Sequence, residues 1–220
     1  MEFILASASP RRKEILSHLG LEFTVVCADA DETSDEKNGA RLVEILSHRK
    51  ATAVQSALHK AGKLTEDTVI LAADTVVVSP DGEILGKPRD KADAMRMLRL
   101  LSDRTHCVIS GICVIRGDKI VTAHEVTEVT FAPLSDQIME RYVDSGEPMD
   151  KAGAYGIQDT ASLWISGIRG DYFNVVGLPV YRLETTLKEQ FGLSIWRKFS
   201  FSASYSTDAH TASRVRCADF

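Results

Sequence analysis

The sequence contains no GxxxxGKS/T loop, no GxGxxG, no HExxH and no GxSxG. P-loop NTPases, dinucleotide-binding Rossmann enzymes, zincins and α/β-hydrolases are therefore set aside at the outset. Cysteine is scarce. The four at Cys27, Cys107, Cys113 and Cys217 form no CxxC pair and have no histidine cluster beside them, which argues against a structural zinc site. The first three fall in apolar, strand-like runs and read as buried free thiols in a reducing compartment. Positive charge is also short. Twenty-six Lys and Arg face 31 Asp and Glu, a formal net charge of −5. A nucleic-acid groove needs a surplus of cations, so that class is disfavoured, but a small anionic ligand needs only a few. No apolar run reaches the roughly 18 residues of a membrane span. The N-terminus lacks a basic region and a long enough apolar run for a signal peptide. Neither asparagine, Asn38 or Asn174, lies in a glycosylation sequon, and a cytoplasmic protein is expected.

What is present alternates between strand and helix. Residues 3–6 read as a short strand. Ser9 then suits a helix N-cap, Pro10 the first helical position and Gly20 the stop. Residues 23–27 read as a second strand, 28–38 as an acidic loop and 40–61 as an amphipathic helix. The unbroken apolar run 68–73 reads as a strand buried on both faces, ending at Asp74-Thr75. A hairpin follows around Ser79-Pro80-Asp81-Gly82. Residues 91–101 and 136–144 are predicted helices. Residues 107–116 and 120–131 are predicted strands joined at Gly117-Asp118. The Gly-rich stretch 146–177 is predicted to be poor in strands, and 178–191 to close as a helix. The order implies an α/β fold, a mixed sheet flanked by helices. Residues 194–220, rich in Ser, Thr and Ala, read as a flexible tail, with Trp196 and Phe199 as candidate docking points.

Several polar residues stand where chemistry is plausible. Arg11 and Arg12 follow Ser7 and Ser9 at a helix N-terminus. Free N–H groups, the helix dipole and two guanidinium forks there suit a phosphate; the alternative is that both arginines are solvated first-turn residues, which the helix dipole disfavours. Asp74 follows a buried strand, where open α/β sheets place their ligand crevice; it is either poised there to hold a divalent cation or orient water, or simply a capping or turn residue. Thr75 either bonds a ligand or is simply a β-branched strand residue. Lys87, in Gly86-Lys87-Pro88, is a plausible phosphate ligand in a stiff turn, although such lysines are more often solvated. Taken alone, Lys50 reads as a solvated helix-face lysine and Glu32 as part of a solvated acidic loop. The amide of Gln158, in a glycine-dense loop, can both donate to and accept from a base edge.

Together these blocks resemble the Maf family of nucleoside triphosphate pyrophosphatases. The matching pieces are Leu5-Ala6-Ser7-Ala8-Ser9-Pro10-Arg11-Arg12, Ala73-Asp74-Thr75-Val76-Val77, Gly86-Lys87-Pro88, the stretch from Ser145-Gly146-Glu147-Pro148 to Ile157-Gln158, and Asn174-Val175-Val176-Gly177-Leu178-Pro179. The resemblance implies a Maf and inosine triphosphate pyrophosphatase-like fold over residues 1–193 with a central cleft. It implies hydrolysis of a nucleoside triphosphate to the monophosphate and pyrophosphate, aided by Mg²⁺ or Mn²⁺, in a homodimer. The Ala-Gly-Ala-Tyr-Gly-Ile-Gln form looks like the branch acting on dTTP and UTP. CTP or 7-methyl-GTP is the alternative substrate, and a non-catalytic nucleotide-binding regulatory module the alternative class. By resemblance, Asp74 is the catalytic carboxylate. Arg11, Thr75 and Gln158 sort substrates, Ser7, Arg12, Lys50 and Lys87 contact phosphates, and Glu32 joins Asp74 near the metal. Two departures stand out. Asp159 replaces the family's usual Gly after Gln158, and nothing after Gly192 matches. A similar domain is fused in animals to an O-methyltransferase-like region, of which this chain shows none.

Overall fold

A computed structural model describes residues 1–196. One seven-stranded mixed sheet runs through it. Strand β1 (Glu2–Leu5) pairs in parallel with β2 (Thr24–Val25) on one side and β3 (Thr68–Val78) on the other. The remaining pairs are antiparallel: β3 with β5 (Thr105–Arg116), β5 with β6 (Lys119–Phe131), β6 with β7 (Ile165–Arg169), and β4 (Ile84–Leu85) with the end of β3. Helices α1 (Pro10–His18) and α6 (Val180–Phe191), the latter preceded by the short α5 (Tyr172–Val176), cover one face. Farther along the same strands, α3 (Lys91–Leu101) and α4 (Asp136–Asp144) continue that layer. The long α2 (Gly39–Lys60) covers the opposite face. The α/β mixed-sheet architecture expected from the sequence is the one observed.

The period-2 alternation of β3 decides which layer each side chain joins. Val69, Leu71, Ala73 and Val77 pack towards the α1, α6 and α3 layer. Ile70, Ala72 and Val76 pack under α2. Each large aliphatic side chain buried this way stabilises the fold by about 1.5–3 kcal/mol. Helix α2 can approach because of Gly111 on β5, where an added Cβ would lie 2.6 Å from the Val43 backbone.

Several elements depart from the sequence reading. Asp74 does not end its strand. β3 continues to Val78, paired throughout with β5, and Asp74 sits opposite Gly111. The second strand is two residues long, and Cys27 is exposed beyond it. Cys107 is half-buried. Cys113 is buried as expected, and loss of solvent pushes its thiol pKa up to about 12. Ser9 occupies the cap position of α1 but makes no capping side-chain bond. Ile165–Arg169 adds an edge strand inside the stretch expected to lack one. Ser194 and Ile195, read as the start of a tail, belong to the body. Ile195 is buried in the core, and Glu184 accepts from Ser194 Oγ at 2.6 Å and Ile195 N at 2.8 Å. Trp196 is largely exposed, and Phe199 and Cys217 lie outside the described residues.

Candidate active site

The edge of β3 that faces β1 carries an interruption. β1 pairs only as far as Leu71 and β4 begins only at Val77. Between them Ala72–Val76 has a partner strand on the β5 side alone. The chain leaving β1 swings away into α1, and a cleft of about 730 Å³ opens at the gap. Asp74 points to the α2 side and Thr75 to the α1 side, yet both line this cleft because the sheet is open past β1. All nine residues singled out from the sequence line it: Ser7, Arg11, Arg12, Glu32, Lys50, Asp74, Thr75, Lys87 and Gln158.

Asp74 is 8% exposed, with Lys50 Nζ donating to its Oδ1 at 2.6 Å. The same ammonium lies 3.0 Å from Oε2 of Glu32. Lys50 is thus not on a solvated helix face. It lies about two turns beyond Val43, the point where α2 presses on Gly111. Glu32 arrives from the acidic loop because Arg49, the residue before Lys50, donates to the carbonyls of Asp31 at 3.1 Å and Thr33 at 2.6 Å. Each carboxylate keeps its second oxygen beyond the lysine contact.

Arg12 is 9% exposed, and its fork serves the protein first. Nε donates to Gly177 O at 2.8 Å, Nη1 to Ser7 Oγ at 3.1 Å and Nη2 to Thr75 Oγ1 at 3.0 Å. Burial lowers its pKa from the ordinary arginine value, opposed by the nearby charge of Asp74. A guanidinium has five N–H groups, so two remain for an anion. The Thr75 hydroxyl is held between Arg12 and Ser110 Oγ, the latter at 2.8 Å. This makes it first a support for Arg12. Ser7 Oγ accepts from Arg12 and from Ser9 N at 3.3 Å, leaving its hydrogen to donate. With no capping side chain at Ser9, the N-terminus of α1 also offers N–H groups to an anion.

The supports behind these groups have no role in the sequence reading. Asn174, fully buried, accepts from Ser110 N at 3.0 Å and donates to Val108 O at 2.9 Å and Thr127 Oγ1 at 3.0 Å. Ser110 Oγ donates back to Asn174 O at 2.8 Å. The chain Asn174–Ser110–Thr75–Arg12–Ser7 fixes the cradle from beneath. Asn174 is visible in its sequence block, but its partners come from strands more than 45 residues away.

Across the cleft, Arg11 Nη1 meets Asp150 Oδ2 at 3.1 Å. Among the described residues, Lys87 and Gln158 have no protein hydrogen-bond or ion-pair partner, and both are exposed. Five cations (Arg11, Arg12, Lys50, Lys87 and Lys151) line the cleft with four carboxylates (Glu32, Asp74, Asp150 and Asp159). Among the described residues no three His, Cys, Asp or Glu side chains form a metal cage. The two hard oxygen donors at Lys50 do suit a divalent cation that takes its other ligands from phosphate oxygens and water.

The chain is similar to known proteins over most of its length. A family profile described as Maf-like protein matches residues 2–190. A protein of Symbiobacterium thermophilum named dTTP/UTP pyrophosphatase is 49% identical over 196 residues, covering 89% of this chain and 96% of that protein. Proteins of the same name from Alkaliphilus oremlandii and Desulforamulus reducens are 45% and 47% identical. They cover 88% and 87% of this chain and 98% and 97% of their own. The chain belongs to the Maf-like protein family.

Proposed function

We propose that the protein hydrolyses dTTP and UTP to the nucleoside monophosphate and pyrophosphate. One observation carries this reading. A buried carboxylate, Asp74, stands in the gap of the sheet edge, while cations from four separate stretches of chain surround the same cleft. A pure nucleotide-binding module needs the cations but not the acid. The names of the relatives supply the substrate.

In this reading the triphosphate lies across Ser7, Arg11, Arg12, Lys50 and Lys87. Lys87, free of protein acceptors, gives all three of its N–H groups to phosphate oxygens. The two spare N–H groups of Arg12 and the hydroxyl of Ser7 hold further oxygens in fixed directions, because their other bonds are already made to the protein. Asp74 accepts the proton of a water attacking the α-phosphorus in line, and the cations neutralise the departing pyrophosphate. The exposed amide of Gln158 meets the base. A Mg²⁺ or Mn²⁺ ion held by Asp74 and Glu32 together with the phosphates would offset charge that the near-balanced cleft cannot.

The test is pyrophosphate release across dTTP, UTP, CTP, 7-methyl-GTP and the purine triphosphates, with and without added Mg²⁺ or Mn²⁺. Turnover of dTTP and UTP above the rest, dependent on metal, is expected. Binding without turnover, or preference for another base, overturns the reading. The reading also takes the chain as a cytoplasmic homodimer. Among the described residues no helix is long and apolar enough to cross a membrane. A light-scattering mass near the 24.2 kDa of a single chain would remove the dimer.

A further inference from the structure

The loop that carries Gln158 is held by groups outside the cradle. Lys151 is 8% exposed although it lies on the cleft wall. Its Nζ donates to Glu147 O at 2.6 Å and Asp150 Oδ1 at 2.9 Å and forms an ion pair with Asp159 Oδ2 at 3.4 Å. Of the three N–H groups of the ammonium, two bond Glu147 and Asp150 and the charge is paired with Asp159, so Lys151 is committed to the loop before any phosphate. In this it is the opposite of Lys87. Glu147 makes a second tie: its Oε1 accepts from Thr160 N at 3.1 Å and its Oε2 from Thr160 Oγ1 at 2.7 Å. Tyr142, whose hydroxyl accepts from Gly156 N at 3.4 Å, lies against Glu147 and completes the loop's base. The space at Gly156 is filled by this arrangement. A Cβ there would lie 2.5 Å from Asp159 Oδ2 and 2.6 Å from Lys151 Cε. Both residues that follow Gln158 are therefore clamped, Asp159 by Lys151 and Thr160 by Glu147. Asp150 shares its two oxygens between Lys151 and Arg11, which links the clamp to the helix at the phosphate site.

We propose that Glu147 and Lys151 are positioning residues that hold Gln158 in register with the base, so that this clamp sets pyrimidine discrimination without touching substrate. The proposal rests on the reading that Gln158 meets the base. It also gives Asp159 a place. Its carboxylate faces Lys151, which keeps its negative charge compensated beside an anion site.

The test measures kcat and KM of the full-length chain for dTTP, UTP and CTP in Glu147→Ala, Thr160→Val, Thr160→Ser, Gln158→Ala and Glu147→Ala/Gln158→Ala. Glu147→Ala is expected to lower the UTP-over-CTP ratio of kcat/KM about tenfold, the equivalent of one hydrogen bond to a charged group. The change should appear mainly in KM for UTP. Thr160→Val should shift the ratio in the same direction by a smaller factor, and Thr160→Ser, which keeps the hydroxyl, should restore it. With Gln158 already removed, the Glu147 change should have no further effect on the ratio. An equal loss on all three nucleotides, or a full Glu147 effect persisting without Gln158, overturns the clamp while leaving the base-reading role of Gln158 intact. A ratio untouched by Gln158→Ala overturns both. Thr160→Val, at an exposed site, decides the matter if Glu147→Ala does not fold.

Discussion

Replacing Arg12 with lysine keeps the charge and removes the fork. Three acceptors converge on the guanidinium, Gly177 O, Ser7 Oγ and Thr75 Oγ1, at 2.8, 3.1 and 3.0 Å. A lysine ammonium on its flexible stem cannot reach three points laid out for a plane, so at least two acceptors lose their donor. Hydrogen bonds to charged groups contribute about 1.5–3 kcal/mol each, and some of the loss is recovered because Thr75 keeps Ser110. The expected destabilisation is about 3 kcal/mol. With a urea slope of about 2–3 kcal/mol/M, the unfolding midpoint drops by about 1 M. Pyrophosphate release should fall at least tenfold as well, because Ser7 and the α1 terminus lose their anchor. A solvated, purely phosphate-contacting arginine would behave differently, losing activity without losing stability. An Arg12→Lys midpoint within about 0.2 M of wild type would refute the structural role of the fork.

Two further perturbations follow from the packing. Gly111→Ala places a methyl group against the Val43 backbone and pushes α2 outwards. It should cost about 1–3 kcal/mol in urea unfolding and weaken activity through Lys50, and a variant of unchanged stability would contradict the close approach. His106 is 2% exposed and bonded to Tyr155 at 2.8 Å, and desolvation holds its pKa down to about 4. The unfolded chain protonates it near the ordinary histidine value of about 6.5, so between these values the unfolded state binds more protons. Its contribution is therefore complete above about pH 6.5 and fades as pH falls towards 4, by about 2 kcal/mol between pH 7.5 and 5. His106→Asn should flatten that part of the stability curve, and an unchanged pH slope would remove His106 as its source.

Much of the fold could be read from local signals. The helices Lys91–Leu101 and Asp136–Asp144 carry their own caps, Asp90 and Ser135, and their bounds match the sequence reading. The turn Gly117-Asp118 locates the long β5–β6 hairpin. Local signals fail where pairing, not periodicity, decides. The polar pair Asp74-Thr75 resembles a strand end, yet β5 runs alongside and keeps it in the sheet. Ile165–Arg169 carries a glycine and is exposed at several positions, so only its ladder with β6 makes it a strand. In the site, the residue types were visible but the partnerships were not. Lys50 looks solvated and is not, and Glu32, which does stay exposed, meets it only because Arg49 folds the acidic loop back. Lys151 sits in a charged, glycine-rich stretch, and nothing local reveals that its ammonium turns back onto Glu147 O, Asp150 and Asp159.

The central claim is that Asp74 is the acid that handles water in a cleft of cations. Asp74→Asn keeps the shape and leaves Lys50 its second partner, Glu32, so the fold should persist with a near-native unfolding midpoint. Measured side by side with wild type on dTTP and UTP, this variant should release no pyrophosphate above background. Wild-type-like release from the folded Asp74→Asn variant would show that the water is activated elsewhere.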